Sequence, residues 1–291
     1  MTAANSQSAN NQSYFLKKRV ELALYHAALG LGALVTLAPL WLLLINSFKS
    51  HTAIVDNPLA LPSSWDFQFI INAAGQLDYV KSIGITFVIT LVSVTLIVLI
   101  SSMSAWIIVR SKSKLGGVVF MSFVAAMLIP FQAIMYPLIQ FFDSLGLKNI
   151  GGLFIMYGGF GLSMSVFLYH GFVKGVPMGV EEAAFIDGCN IFQMFFMIVM
   201  PLLQSITVTV IIINAMWIWN DYLLPFLTIG NSENKTLVLA LYFARILSGQ
   251  YGNPWQLIFP AVLITIVPIV VVFLFLQRYI VAGISAGAIK A

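Results

Sequence analysis

The chain has 291 residues, of which 60% are hydrophobic and 8% charged, with a formal net charge of +4. An ordinary soluble domain contains about 25% charged residues, so this composition excludes a typical soluble protein and indicates one that lies in a bilayer. The single Cys189 excludes an internal disulfide, and no basic and aromatic stripe indicates nucleic acid as a partner.

Six charge-free intervals are long enough to cross a bilayer, because a span needs about 20 mostly apolar residues and a charge at the bilayer centre is costly. Long apolar runs without period-2 alternation favour helices over a β-barrel. The sequence therefore predicts an all-α integral membrane protein with six transmembrane helices. The intervals are 22–48, 82–109, 115–142, 149–173, 188–220 and 246–277.

The distribution of Lys and Arg predicts the orientation, since basic loops tend to stay cytoplasmic. With the amino terminus inside, the inner segments hold nine of these residues and the outer segments five. We therefore expect both termini in the cytoplasm. The predicted organisation is an amino-terminal cytoplasmic segment (1–20), a six-helix membrane domain (21–280) with a cytoplasmic loop at about 174–200, and a cytoplasmic tail (281–291).

Motifs for catalysis are missing from the sequence. It contains no GxxxxGK[ST] loop for phosphates and no HExxH motif for zinc, and His26, His51 and His170 are widely separated. The stretch 161–164 lacks the GxSG pattern of an intramembrane protease, and no carboxylate lies at mid-membrane depth. We therefore expect no catalytic residue and no metal site, and any work against a gradient must be driven by a partner.

The segment after the fourth predicted span combines a short helix with a break. Pro177 can open this helix, and Glu181 and Glu182 lie in its early turns, where the helix dipole favours negative charge. Gly188 permits a sharp break, after which the apolar run 191–198 re-enters the membrane. A partner that pushes on this segment would move the attached fifth helix.

This segment resembles the EAA loop of ABC importer permeases through Glu182-Ala183-Ala184, Asp187-Gly188, Ile198 and Pro201, with Met200 where a Leu is common. The resemblance implies that the loop is a coupling helix that docks into a cleft on a cytoplasmic ATPase. The residues to which it assigns this coupling are Glu181, Glu182, Ala183, Ala184, Asp187, Gly188, Ile198 and Pro201.

Two further segments resemble the carbohydrate branch of these permeases, of the maltose-importer type. Residues 219–225 read WNDYLLP, and residues 277–291 are similar to the branch's terminus, with Ala291 where a Gly is usual. In the maltose system this tail reaches into the ATPase pair. The resemblance therefore implies a second contact through Ser285, Ala286, Gly287 and Lys290.

The same resemblance implies the fold and the partners. The fold is the MetI-like one of ABC importer permeases, in the bacterial inner membrane. The implied partners are a second homologous permease, two cytoplasmic ABC ATPase subunits, an extracytoplasmic solute-binding protein and membrane lipid. ATP and Mg would be bound by the ATPase, so no cofactor is expected in this chain.

Polar residues of the fifth span offer a candidate substrate path. Thr207, Asn214, Trp217 and Asp221 fall at offsets 0, 7, 10 and 14, which is one face of a helix. Amide and indole groups suit sugars, although helix-to-helix hydrogen bonds and an interfacial anchor are the alternative interpretation. The other candidates for this path are Gln132 and Tyr136 on the third helix, Ser163 on the fourth, and Asn220.

The predicted function is that of a permease subunit of a binding-protein-dependent ABC importer for a sugar or oligosaccharide. The solute would move inward by alternating access, driven by ATP hydrolysis on the partner. One alternative is an importer permease for glycerol phosphate, a polyanion or a peptide; the spans hold no basic cluster that would favour an anion. The other is a membrane scaffold or intramembrane enzyme, which predicts no ATPase partner.

Overall fold

The computed structural model describes residues 2–248 and 253–288, with side chains described for 18–248 and 253–275. Within these ranges every regular element is helical, which confirms the predicted all-α class. The helices are α1 (Thr2–Asn46), α2 (His51–Asp56), α3 (Gln68–Gln76), α4 (Tyr79–Ser111), α5 (Lys114–Ala126), α6 (Phe131–Ser144), α7 (Ile150–Val173), α8 (Met178–Ile186), α9 (Ile191–Gln193), a π-helix (Met194–Val199), α10 (Met200–Leu202), α11 (Gln204–Asn220), α12 (Leu223–Ile229), α13 (Leu237–Ser248) and α14 (Trp255–Ala288).

Four helices in the described ranges are each long and apolar enough to cross a membrane: Lys18–Asn46 of α1, α4, α7, and Trp255–Phe275 of α14. Two more candidates are bent pairs. α5 and α6 meet at 104°, and the segment Ile191–Leu202 meets α11 at 80°. Counting each bent pair as one span gives the six that the sequence predicts.

The third and fifth predicted spans are therefore each built from two helical segments that meet at a bend. α5 ends at Ala126, and Pro130 stands directly before α6. Proline has no backbone N–H and disfavours helical backbone in the residue before it, so it separates the two helices. Before α11 the chain passes through the π-helix, Pro201 and Leu203. A charge-free run shows only that its residues are apolar. It does not reveal a bend, because the residues on both sides of the bend are equally apolar.

The amino-terminal segment is continuous with the first span. α1 runs without interruption from Thr2 to Asn46, and the predicted boundary at residue 20 lies within this helix. By its internal contacts the chain divides into two compact units. One comprises the residues up to 71 together with 254–263, and the other comprises the remainder.

The first unit contains an aromatic and polar anchor just after α1. The ring of Phe48 packs edge-on against Trp65, with centroids 4.9 Å apart, and against Phe67 at 5.2 Å. The buried Lys49 donates from Nζ to Asn46 Oδ1 at 3.1 Å and to the Asn57 carbonyl at 3.2 Å. These contacts fix the start of the loop that follows the first span.

The second unit is built around the packing of α7 against α4 and α11. Its core includes Ile97, Tyr157, Tyr169 and Val210, all fully buried. The three helices approach one another closely at Gly161, where a Cβ atom would overlap the side chains of Ile97 on α4 and Asn214 on α11. Only glycine leaves room for this contact.

We predict that Gly161→Val lowers the apparent melting temperature of the purified protein, because overpacking a close-packed core costs about 1–3 kcal/mol. Gly171→Val is the matched control on the same helix, since a Cβ there would meet no atom within 4 Å. Thermal unfolding followed by intrinsic fluorescence measures both. Equal melting temperatures for the two variants would contradict this account of the packing.

Candidate functional site

α8 and its ends have the form that the sequence predicts. Pro177 is the N-cap of the helix, and Gly188 has a φ of +84°, in the left-handed region that favours glycine. The Gly188 N–H donates to the Phe185 carbonyl at 3.1 Å, and the Cys189 N–H donates to the Ala184 carbonyl at 3.0 Å. The break at Gly188 is thus a hydrogen-bonded helix end.

The two faces of α8 have different surroundings. Glu181 and Ala184 are buried inside the protein. Phe185 is 73% exposed and Ile186 is 84% exposed, although both are large apolar side chains. The other candidate coupling residues divide as follows: Glu182, Ala183, Asp187, Gly188 and Pro201 are exposed, and Ile198 is half-buried in the π-helix.

Glu181 faces α4 rather than the exposed side of α8. Its Oε1 accepts from Arg110 Nη2 at 2.6 Å and from Arg110 Nε at 2.9 Å, and its Oε2 accepts from Trp106 Nε1 at 3.0 Å. Sequence reasoning did not single out Trp106 or Arg110. One feature of the sequence could have indicated this contact. Arg110 is a cation at the inner end of the second span, and the loop predicted on the same side of the membrane contains two adjacent acidic residues.

The polar stripe consists of Thr207, Asn214 and Trp217 on α11 and of Asp221, the C-cap residue directly after this helix. All four of its members contact α7. Three of the contacts between the two helices are side-chain hydrogen bonds, and the fourth is a perpendicular ring contact. They are Tyr169 Oη to Thr207 Oγ1 (2.9 Å), Asn214 Nδ2 to Ser165 Oγ (3.1 Å), Tyr157 Oη to Asp221 Oδ2 (2.9 Å), and Tyr157 to Trp217 (5.5 Å between centroids). These contacts match the helix-to-helix interpretation of the stripe.

A cavity of about 660 Å³ lies beside this stripe. It brings together Ser163, Asn214 and Trp217, and the rest of its lining is apolar, including Phe131 and Phe160. The indole of Trp217 can stack on a sugar ring and the hydroxyl of Ser163 can hydrogen-bond it, whereas both N–H groups of Asn214 already donate to Ser165 Oγ and the Val210 carbonyl. Three of the eight candidates for the substrate path therefore meet in one place.

The other candidates for the path lie elsewhere. Thr207 and Asp221 are engaged with α7, as described above. Asn220 donates to the Met216 carbonyl at 2.7 Å within its own helix. Gln132 is exposed on α6, and Tyr136 is 70% exposed and accepts from Gln140 at 2.9 Å.

The carboxy-terminal candidates fall at the limit of the structure. Ser285, Ala286 and Gly287 belong to α14, but their side chains lie outside the described residues, as does Lys290 entirely. Among the described residues, no group of three His, Cys, Asp or Glu side chains is arranged to hold a metal ion.

Three comparisons relate this chain to known proteins. The sequence profile of the family "Binding-protein-dependent transport system inner membrane component" matches residues 97–286. The chain is 39% identical to the probable starch degradation products transport system permease protein of Thermoanaerobacterium thermosulfurigenes, over 89% of this chain and 93% of that protein. It is 33% identical to the multiple sugar-binding transport system permease protein of Streptococcus mutans, over 91% and 96% of the two chains.

A third relative is the melibiose/raffinose/stachyose import permease protein of Bacillus subtilis, which is 33% identical over 89% of this chain and 95% of its own. Among solved structures, a chain of a bacterial ABC transporter involved in the import of the acidic polysaccharide alginate superposes with a TM-score of 0.76 at 21% identity. The match covers 90% of this chain and 96% of that one. This likeness confirms the ABC importer permease fold.

We predict that Tyr157→Phe destabilises the protein, because Asp221 Oδ2 loses its hydrogen bond from Tyr157, and a bond to a charged group contributes about 1.5–3 kcal/mol. Tyr136→Phe is the control, since that hydroxyl lies on an exposed side chain. The measurement is thermal unfolding in detergent. A Tyr157→Phe variant as stable as Tyr136→Phe would show that the contact between α7 and α11 does not depend on this bond.

Proposed function

This chain belongs to the family of binding-protein-dependent transport system inner membrane components, and we propose that within this family it imports a sugar or oligosaccharide. As a permease subunit it lies in the inner membrane and is not itself an enzyme. The observation that carries the proposal is its identity of 33–39%, over most of its length, to three permeases named for starch products, multiple sugars and raffinose-type sugars.

The cavity beside α11 supports a neutral, sugar-like solute over an anion. Its described lining contains Ser163, Asn214 and Trp217 but no Lys or Arg. An anionic solute that enters a low-dielectric site needs a cationic partner, because an unpaired charge there is costly. A glycerol phosphate or polyanion importer is thus the weaker candidate.

Coupling to ATP hydrolysis is assigned to α8, which docks on a cytoplasmic ATPase through its exposed face. Phe185 and Ile186 are the basis for this assignment, since large apolar side chains that are 73% and 84% exposed favour a partner surface. Glu182 and Asp187 are exposed on the same helix segment and supply charges that fix the register of docking. ATP and Mg bind on the partner.

The proposed complex contains this chain, a second homologous permease, two ATPase subunits and a solute-binding protein. The tail residues Ser285, Ala286, Gly287 and Lys290 provide a second contact with the ATPase pair. Solute passes inward by alternating access, in which closure of the ATPase pair around ATP moves α8 and, with it, the membrane helices.

Affinity purification from the native membrane tests the complex as a whole. The tagged chain is extracted in mild detergent, its companions are identified by mass spectrometry, and the eluate is assayed for ATP hydrolysis. We expect an ABC ATPase, a sister permease and a sugar-binding protein to copurify. Recovery of the chain alone, without ATPase activity, would contradict the importer function.

We predict that Glu182→Lys and Gly188→Val uncouple solute uptake from ATP hydrolysis while membrane insertion stays normal. Lys reverses a charge on the docking helix, and Val disfavours the backbone at φ +84° that ends it. Uptake of labelled maltotriose and raffinose is measured in cells, with Cys189→Ser as the neighbouring control. Normal uptake by both variants would count against the docking role of α8.

We predict that Trp217→Leu raises the KM for sugar uptake, because the variant keeps an apolar side chain but loses the indole face on which a sugar ring stacks. Stacking on an aromatic ring contributes about 0.5–1.5 kcal/mol beyond the buried area, so the expected increase is about two- to tenfold. Trp41→Leu on α1 is the matched control, as Trp41 is also half-exposed. An unchanged KM would remove Trp217 from the solute path.

A further inference from the structure

The inner end of α4 holds α8 through a cluster that we call the latch, defined as Trp106, Arg110 and Glu181. Arg110 donates twice to Glu181 Oε1, and the indole of Trp106 donates to Oε2. Glu181 is 7% exposed, and the side chain of Arg110 is 17% exposed. The carboxylate is thus satisfied almost entirely by one neighbouring helix.

The same two residues of α4 also hold the segments on either side of α8. Arg110 Nη2 donates to the Val176 carbonyl at 3.0 Å, in the turn that leads into α8. The ring of Trp106 packs against Phe195 of the π-helix, with centroids 5.5 Å apart. The start of α8, its first turns and the segment after it are therefore all attached to the last turns of α4.

The chemistry of the latch favours orientation over stability. A buried Arg–Glu pair contributes little net stability, since the desolvation of both charges offsets their attraction. Charge-assisted bonds from a planar guanidinium are nevertheless strict in geometry. α8 has nine residues, a length at which an isolated helix is marginal, so external contacts decide its direction.

We propose that Arg110 and Trp106 are positioning residues that transmit the movement of α8 to α4, in addition to the covalent route from α8 into α11. This inference rests on the proposed docking of α8 on an ATPase. From α4 the movement reaches the cavity, because α4 packs on α7 at Ile97 and Gly161 and α7 supplies Ser163 to the cavity wall.

The test measures whether ATP still changes access to the cavity when the latch is broken. Ser163→Cys is introduced in a Cys189→Ser background, and inside-out membrane vesicles that contain the full complex are treated with an impermeant maleimide. The labelling rate is compared with and without MgATP and vanadate. The latch variants are Arg110→Gln, Glu181→Gln and Trp106→Phe, and the last of these keeps a ring against Phe195.

In the complex with an unmodified latch, we expect MgATP and vanadate to slow labelling at position 163, because the inner side of the cavity closes. Each latch variant is expected to lose this slowing while its ATPase still copurifies at the normal level. Arg110→Lys, which keeps the positive charge on a single donor nitrogen, is expected to retain part of the slowing of labelling. Lys114→Gln is the control, since it removes an exposed positive charge near the same end of α4.

The outcomes separate the latch from the docking proposal. Retention of the slowing in any latch variant that assembles would overturn the latch. If Arg110→Gln fails to accumulate, Trp106→Phe decides the same question, because it removes one hydrogen bond and keeps the ion pair. If no ATPase copurifies even with the unmodified latch, the docking proposal itself fails.

Discussion

The organisation of this protein depends on one constraint: inside the bilayer a polar group must find its partner within the protein. Backbone groups meet this requirement by forming helices. Side chains meet it through pairs between helices, such as Tyr169 with Thr207 and Asn214 with Ser165. These pairs align α7 with α11, while Gly161 brings α4 into contact with both. Polar bonds and one close approach thus help to align α4, α7 and α11, and the last two of these helices supply part of the cavity wall.

A similar requirement applies to the buried carboxylate of Glu181 outside the membrane spans. Its burial inside the protein requires both a counter-charge and full hydrogen bonding, and Arg110 and Trp106 supply them. Glu181 is therefore committed to α4, while Phe185 and Ile186 of the same helix stay exposed and available to a partner. A helix that is bound to α4 and also exposes apolar side chains to a partner is suited to transmit the partner's movement to the membrane helices.

Much of this arrangement could be predicted from the sequence, because the relevant signals are local. Apolar runs predict the spans, and Pro177 and Gly188 mark the ends of α8. The bends between α5 and α6 and before α11 could not be predicted from apolarity, which does not change across them. The partners of Glu181 and Asp221 lie 71 and 64 residues away in sequence, so no periodicity within one helix could identify them. For the same reason the stripe on α11 was recognised as one face, but not as a face that packs on α7.

Site-specific photocrosslinking is the sharpest test of whether the exposed side chains of α8 dock on an ATPase. A photoreactive amino acid replaces Phe185 in the native membrane, and the same replacement at the half-exposed Phe87 of α4 reports contacts with lipid or other membrane neighbours. We expect a light-dependent adduct with a nucleotide-binding subunit from position 185 and none from position 87. The same pattern of adducts at both positions, without an ATPase, would contradict this docking.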